Sequence, residues 1–189
     1  KCIILMLIRF SFTNVCIWNP TETKTNIERL TEFLKPSHKL KFFIINIEAL
    51  STEKGKNYLQ RLLNLTKSFF CIDESTNIKN RTARRTKACM KLGKLATYRR
   101  ILTGTPVTQG PLDLWSQMHF LDEFILQSSF YAYRNTFCVI QRRRTSSHSF
   151  DEVVGYQRLD ELQKILDEHS FRVTKEECLD LPPKLRQIR

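Results

Sequence analysis

Ser68-Phe69-Phe70-Cys71-Ile72-Asp73-Glu74 is the stretch on which the fold turns. A short, nearly continuous apolar run of this kind reads as a strand buried on both faces. It ends abruptly on two adjacent carboxylates. Upstream, Phe42-Phe43-Ile44-Ile45-Asn46-Ile47 is a second run of the same type, and Tyr58–Leu65 between them has helical spacing through Leu59, Leu62 and Leu63. Further upstream, Val15–Trp18 is a short apolar run closed by the turn pair Asn19-Pro20. Thr25-x-x-Glu28 reads as a capping box for a helix that carries Ile27, Leu30 and Leu34 and stops at Pro36. Downstream, a basic helix spans about Thr82–Leu95, and Arg100–Thr103 is a strand opening into Gly104-Thr105-Pro106. After Pro111 the pattern is helical to the end, broken by a polar loop at Arg142–Ser149, and Pro182-Pro183 marks an exit linker. Strand–helix alternation followed by helices predicts an α/β fold: a mostly parallel sheet flanked by helices, then a helical C-terminal part.

The bulk numbers suit one such domain. The chain has 189 residues, 41% hydrophobic and 26% charged, which is enough to bury a core and argues against disorder. Its net charge of +12 favours a polyanionic partner, a nucleic acid or an anionic membrane surface. The six cysteines lie at least 14 positions apart and form no CxxC pair, and with four scattered histidines they offer no zinc-site spacing. They read as free or buried thiols of a reducing compartment. Lys1 and the apolar run Cys2–Ile8 look like a short signal core. The run is too short to span a bilayer, is broken by Arg9 and lacks an A-x-A-like cleavage site, so a core strand or a badly truncated edge is the better reading. The first residue is not Met, and the expectation is a chain truncated at its N-terminus.

Two constellations carry chemistry. Ligands of open α/β sheets sit at the carboxyl ends of the strands, where Asp73 and Glu74 emerge. In nucleotide hydrolases one such acid holds Mg²⁺ and a second orients or deprotonates water. The pair equally suits a helix N-cap and a first-turn acid. The second constellation, Ile101-Leu102-Thr103-Gly104-Thr105-Pro106, places two hydroxyls around a glycine at another strand end. Glycine lets a backbone approach a phosphate or a loop closely and the hydroxyls can bond either, although a plain strand-end turn has the same composition.

Taken together, Asp73-Glu74-Ser75-Thr76-Asn77-Ile78-Lys79-Asn80 followed by Leu102-Thr103-Gly104-Thr105-Pro106 resembles motifs II and III of the Swi/Snf branch of helicase superfamily two. Asn46-Ile47-Glu48-Ala49-Leu50 sits where that family has motif Ib. Leu112–Trp115 through Phe120–Asp122 is similar to the helix after motif III. Phe171–Lys175 with Leu181-Pro182-Pro183-Lys184 is similar to the passage toward a second lobe. The resemblance runs from about Val15 to Lys184 and looks closest to phage or bacterial members. It implies a partial first RecA-like lobe over residues 15–181, an unplaced segment 1–14 and a linker at 182–189. It also implies an ATP-dependent, DNA-dependent motor that uses Mg²⁺, binds double-stranded DNA and works in the cytoplasm of a bacterial or phage-infected cell. By resemblance Asp73 coordinates Mg²⁺, Glu74 acts on the hydrolytic water, and Thr103, Gly104 and Thr105 couple nucleotide to DNA. Two departures stand out. Ser75-Thr76 replaces the usual Ala-His or Gly-His, so the imidazole link to motif III is lost or is made by a hydroxyl, with Thr76 as the candidate. Gln109 stands where Asn is usual.

A phosphate loop needs G-x-x-x-x-G-K-[ST]. Gly55-Lys56 is followed by Asn57 and Gly93-Lys94 by Leu95, so neither qualifies. The isolated chain is therefore expected not to hydrolyse ATP and to depend on a phosphate loop and a second lobe outside this sequence. From Lys79 to Arg100 there are nine Lys or Arg and no acid. Arg84, Lys87, Lys91 and Lys94 step by 3, 4 and 3 and share a helix face. Beside them Ala88, Leu92 and Leu95 form a stripe able to dock on the sheet. With Lys79 and Arg81 they are the candidate nucleic-acid contacts, against the ordinary reading of a solvated charged face. Arg142-Arg143-Arg144 is a weaker second patch. The other readings are a non-catalytic DNA-binding lobe and, more remotely, a metal-dependent nuclease using Asp73 and Glu74, which lacks the usual acid-x-Lys arrangement because Lys79 lies five residues past Glu74.

Overall fold

The computed structural model describes residues 2–7, 13–21, 23–36, 40–145, 148–173 and 177, with the backbone alone for residues 2–7 and Thr13. Thr174, Lys175 and the Leu181–Lys184 stretch lie outside the described residues, as does the expected linker.

Strands β1 (Cys2–Leu7), β2 (Thr13–Ile17), β3 (Leu40–Asn46), β4 (Ser68–Asp73) and β5 (Tyr98–Leu102) form one sheet in the order β2-β3-β1-β4-β5. β2 pairs with β3 in parallel, as does β4 with β5, while β1 runs antiparallel to both β3 and β4. Four strands therefore point one way, as the strand–helix alternation predicts, and the unplaced N-terminal segment supplies the one reversed strand, at the centre. Among the described residues β5 is an edge strand of the sheet.

Three helices cover one sheet face: α1 (Lys24–Leu34), α2 (Glu53–Leu65) and α3 (Arg84–Gly93). The alternation of β3 directs Phe43 and Ile45 to that face, where both are fully buried, and β4 adds Phe70 and Ile72. Phe33, Leu59, Leu62, Ala88 and Leu92 pack on them, whereas Leu95 is exposed. The cap of α1 is Thr23, whose side chain accepts from the Asn26 N–H, and not Thr25. The helix starts earlier than the capping-box pattern suggests because Thr23 already lies in extended backbone. Its last turn has no basic residue of its own; the Lys41 nitrogen, reaching over from β3, donates to the Phe33 and Lys35 carbonyls.

Gly55 and Gly93, the two glycines of the failed Gly-Lys patterns, serve packing. A Cβ on Gly55 would lie 2.3 Å from the Ala49 carbonyl oxygen, and one on Gly93 would lie 2.7 Å from the Phe120 ring. Phe120 in turn meets Phe70 edge to face at 5.2 Å, a geometry worth about 0.5–1.5 kcal/mol beyond area burial.

The C-terminal part holds α4 (Leu112–Leu121), α5 (Phe130–Phe137) and α6 (Leu159–His169) around a second core of Leu114, Trp115, Met118, Tyr133, Phe137 and Leu162. The stretch Arg142–Ser149 is not simply a polar loop between helices. β6 (Cys138–Arg144) and β7 (Ser149–Tyr156) form an antiparallel hairpin across it. Its arginines hide the strand signal, because charge pairs to the acids of β7 take the place of apolar contacts. Arg143 reaches Glu152 at 2.6 Å, and Arg134 of α5 reaches Asp151 at 3.1 Å. The base of the hairpin rests on the loop before α4: a Cβ on Gly110 would lie 2.2 Å from the Tyr156 hydroxyl.

Cys16, Cys71, Cys89 and Cys138 are free and buried, and burial pushes the Cys89 thiol up to about 12. Among the described residues no helix is long and apolar enough to cross a membrane.

Candidate active site at the sheet edge

β4 and β5 are parallel neighbours with Asp73 opposite Leu102. Asp73-Glu74 and Thr103–Pro106 therefore leave the sheet side by side. The Asp73 carboxylate accepts the Glu74 N–H at 3.1 Å. Glu74 is exposed and sits at φ 54°, ψ 60°, in the left-handed region. For a non-glycine residue that conformation costs roughly 1–2 kcal/mol. Asn77 holds it in place: the Glu74 carbonyl accepts the Asn77 N–H at 3.0 Å and the Asn77 side-chain amide at 2.7 Å. A short 3-10 turn over Ser75–Ile78 results, with Ser75 and Ile78 fully buried. No sequence pattern announces the left-handed residue.

In the second loop the Thr105 N–H donates to the Thr103 hydroxyl at 3.2 Å. Gly104 has no positive φ, and nothing lies within 4 Å of where its Cβ would be, so the folded lobe itself does not require glycine there. The loop is anchored by Asp113, in the first turn of α4. One carboxylate oxygen accepts the Thr108 N–H at 3.0 Å, the Thr108 hydroxyl at 2.7 Å and the Gln109 N–H at 2.9 Å. Burial alone would raise this carboxyl, but those donors and nearby Lys79 hold it below the ordinary carboxylate range.

The sequence points to Thr76 as the hydroxyl link, but the contact falls to Ser75. Its Oγ lies 2.6 Å from the Gln117 Oε1 in a fully buried pair, and Gln117 Nε2 donates to the Pro106 and Asp113 carbonyls, each at 2.8 Å. Ser116 adds a bond to the Lys79 carbonyl at 3.0 Å. The available signal is a pair of adjacent polar residues, Ser116 and Gln117, set between Leu114-Trp115 and Met118.

The basic residues divide. Lys79 bonds Thr108 and lies 3.6 Å from Asp113. Arg81 stacks over Phe130 at 4.3 Å. Arg85 pairs with Glu48 at 2.9 Å, and Lys94 with Glu123 at 2.9 Å. Arg84, Lys87 and Lys91 instead line an open groove between α2 and α3, together with Lys56, Asn57 and Glu53. The expected shared face thus brings three of its four cations together and sends Lys94 elsewhere. Lys56, on α2, joins them without any linear signal.

Among the described residues no three His, Cys, Asp or Glu side chains cluster as a metal site. A single strand-end carboxylate such as Asp73 suits a cation whose other ligands come from nucleotide phosphates and water, as Mg²⁺ prefers.

A profile of the SNF2-related domain matches residues 10–189. The chain belongs to this family. Among relatives of the SNF2-related lobe, the human TATA-binding protein-associated factor 172 is 31% identical over 159 residues, covering 83% of this chain and 8% of its own length. The DNA annealing helicase and endonuclease ZRANB3 of Bos taurus is 27% identical over 172 residues, covering 89% of this chain and 15% of its own. YwqA of Bacillus subtilis is 29% identical over 147 residues, covering 75% of this chain and 15% of its own. The SNF2-related lobe therefore spans less than a sixth of the length of these relatives.

Proposed function

We propose that this SNF2-related lobe is part of an ATP-dependent motor that translocates on or remodels double-stranded DNA. One observation carries the reading: Asp73-Glu74 and Thr103–Pro106 emerge together from adjacent parallel strands, with Glu74 in a strained left-handed backbone. Strain of that kind concentrates at functional sites. In this reading Asp73 holds Mg²⁺ brought with ATP, and Glu74, exposed and turned away from the strand direction, orients or deprotonates water. Bound Mg²⁺ supplies charge neutralisation on the phosphates. Thr103, Gly104 and Thr105 relay DNA contact to this edge, and Arg84, Lys87 and Lys91 of the groove contact backbone phosphates. Lys79, Arg81 and Lys94 are secondary contacts that would exchange internal partners for phosphates. In this reading a phosphate loop and a second lobe would have to complete the site, since the sequence holds no G-x-x-x-x-G-K-[ST] pattern.

A non-catalytic DNA-binding lobe is the second reading, favoured by the absence of a G-x-x-x-x-G-K-[ST] pattern from the sequence. The two readings agree on the isolated chain and part company on the intact protein. The isolated chain is expected to bind duplex DNA without turning over ATP, measured by phosphate release with and without DNA. DNA-stimulated turnover by the isolated chain that disappears in Glu74→Gln would overturn the dependence on outside chain. An intact protein with no DNA-stimulated turnover would overturn the motor reading.

A further inference from the structure

We propose that Gln117 is the positioning residue that ties the carboxylate-bearing end of β4 to the loop after β5. The inference rests on the motor reading for its functional consequence, and on geometry alone for the tether itself.

Gln117 is buried in α4, and three of the four hydrogen-bonding sites of its amide are engaged. Both Nε2 hydrogens go to main-chain carbonyls, those of Pro106 and Asp113. A flipped amide would set Oε1 against two carbonyl oxygens, so this orientation is the only one the surroundings allow. Oε1 is then left to face Ser75, whose hydroxyl must donate. The bond is 2.6 Å long and sealed from water. Ser75 directly follows Glu74, and Pro106 directly follows Thr105. One amide therefore spans the two segments that the site brings together.

A buried polar group left without its partner costs roughly 1–3 kcal/mol. Gln117 therefore cannot follow one segment and abandon the other without such a loss. Displacement of the Thr103–Thr108 loop is passed to Ser75, and through it to the backbone that presents Glu74. An apolar side chain at 117 would fill the space and transmit far less, because dispersion contacts are not directional.

The test uses the intact protein with Ser75→Ala, Gln117→Met and the double variant. Amide hydrogen exchange over residues 103–109, without nucleotide, is expected to quicken at least threefold in each. The ratio of DNA-stimulated to DNA-free ATP turnover is expected to fall about tenfold, with KM for ATP changed less than twofold. The double variant should lose no more than either single one, because both cut the same link. Ser75→Ala removes only a hydroxyl and keeps the test valid should Gln117→Met fold poorly. Unchanged exchange overturns the tether. Altered exchange with an intact stimulation ratio, or equal losses with and without DNA, overturns its coupling role. Additive losses show two separate functions and overturn the single link. A wild-type protein without DNA-stimulated turnover defeats the motor reading instead, and the exchange measurement then decides the tether alone.

Discussion

The N–H of Glu74 points back to the carboxylate of Asp73, 3.1 Å away, while the Glu74 backbone sits at φ 54°. The two acids are adjacent in the chain and yet are offered to solvent in different ways. Asp73 is half-buried and still belongs to the strand, whereas Glu74 has left it.

That conformation makes Glu74 an unusual place for glycine. Relief of left-handed strain, roughly 1–2 kcal/mol, opposes the roughly 0.5–1 kcal/mol entropic cost of glycine. Glu74→Gly is expected to match or exceed wild-type stability by up to about 1 kcal/mol in urea unfolding. A clear loss of stability would show the strain is not there.

In the intact protein the carboxylates and the loop threonine should fail differently. Glu74→Gln is expected to abolish hydrolysis and spare ATP and DNA affinity, because the amide keeps the shape and loses the base. Asp73→Asn should weaken Mg²⁺–ATP binding, since an ionised metal ligand is lost. Thr105→Ala should spare both affinities and lower DNA stimulation. Nucleotide affinity and turnover, with folding followed by circular dichroism, separate the three. One shared profile would refute these roles.

The α2–α3 groove holds one acid among its cations. Lys56 bonds Glu53, and with Lys91 and Arg84 it holds that carboxyl below the ordinary range. Arg84→Glu with Lys91→Glu should weaken duplex binding across all sequences alike. It should also flatten the log–log salt dependence by about 0.9 for each phosphate no longer neutralised. Glu53→Gln should act oppositely, strengthening binding at low salt. If neither change moves affinity in a fluorescence-anisotropy titration, the groove is only a solvated face.

His119 stacks on Trp115 at 4.4 Å, and its Nδ1 is buried without a hydrogen-bond partner. Burial pushes its pKa below the ordinary histidine value; Glu123 and Asp122 oppose the shift and Lys94 adds to it. The folded state thus disfavours the proton that the unfolded chain takes up near pH ~6.5. Stability contributed by neutral His119 is present above about pH 6.5 and is lost as pH falls from there through the lowered folded value. His119→Phe should flatten the thermal midpoint over that window, and an unchanged slope would exclude His119 as its source.

Gly55→Ala and Gly93→Ala should each destabilise by about 1–3 kcal/mol through overpacking, despite alanine's better helix propensity. Gly55→Ala should be the worse, because its neighbour is a backbone carbonyl and not a ring that can tilt. Chemical denaturation ranks them, and the reverse order would mean that the α2 junction yields more easily than the aromatic core.

Much of the sheet is legible in the sequence because Phe42–Ile45 and Phe69–Ile72 are uninterrupted apolar runs whose ends coincide with a change in polarity. The SNF2-related family is legible because the two strand-end motifs are local. The features that escape depend on distant pairing. The reversed β1 has an apolar pattern, but strand direction is set by its neighbours. The β6–β7 hairpin reads as polar because Arg143 and Glu152 satisfy each other only after the strands meet. Ser75 and Thr76 are both hydroxyls in a linear motif, and only the 3-10 turn decides that Ser75 is the one fully buried against α4.

The contact between Gly110 and Tyr156 sets an order on how this lobe can change by mutation. With 2.2 Å between a prospective Cβ and the hydroxyl, any larger residue at 110 meets an occupied site. Substitution at 156 with a smaller side chain opens that space first, and then 110 becomes free to vary. The reverse sequence passes through an intermediate in which the exposed Tyr156 ring has to swing away from the loop. Descendants of this sequence should therefore reach the double change through position 156. A library that randomises both positions should recover side chains at 110 more often alongside a lost ring or hydroxyl at 156 than alongside Tyr156.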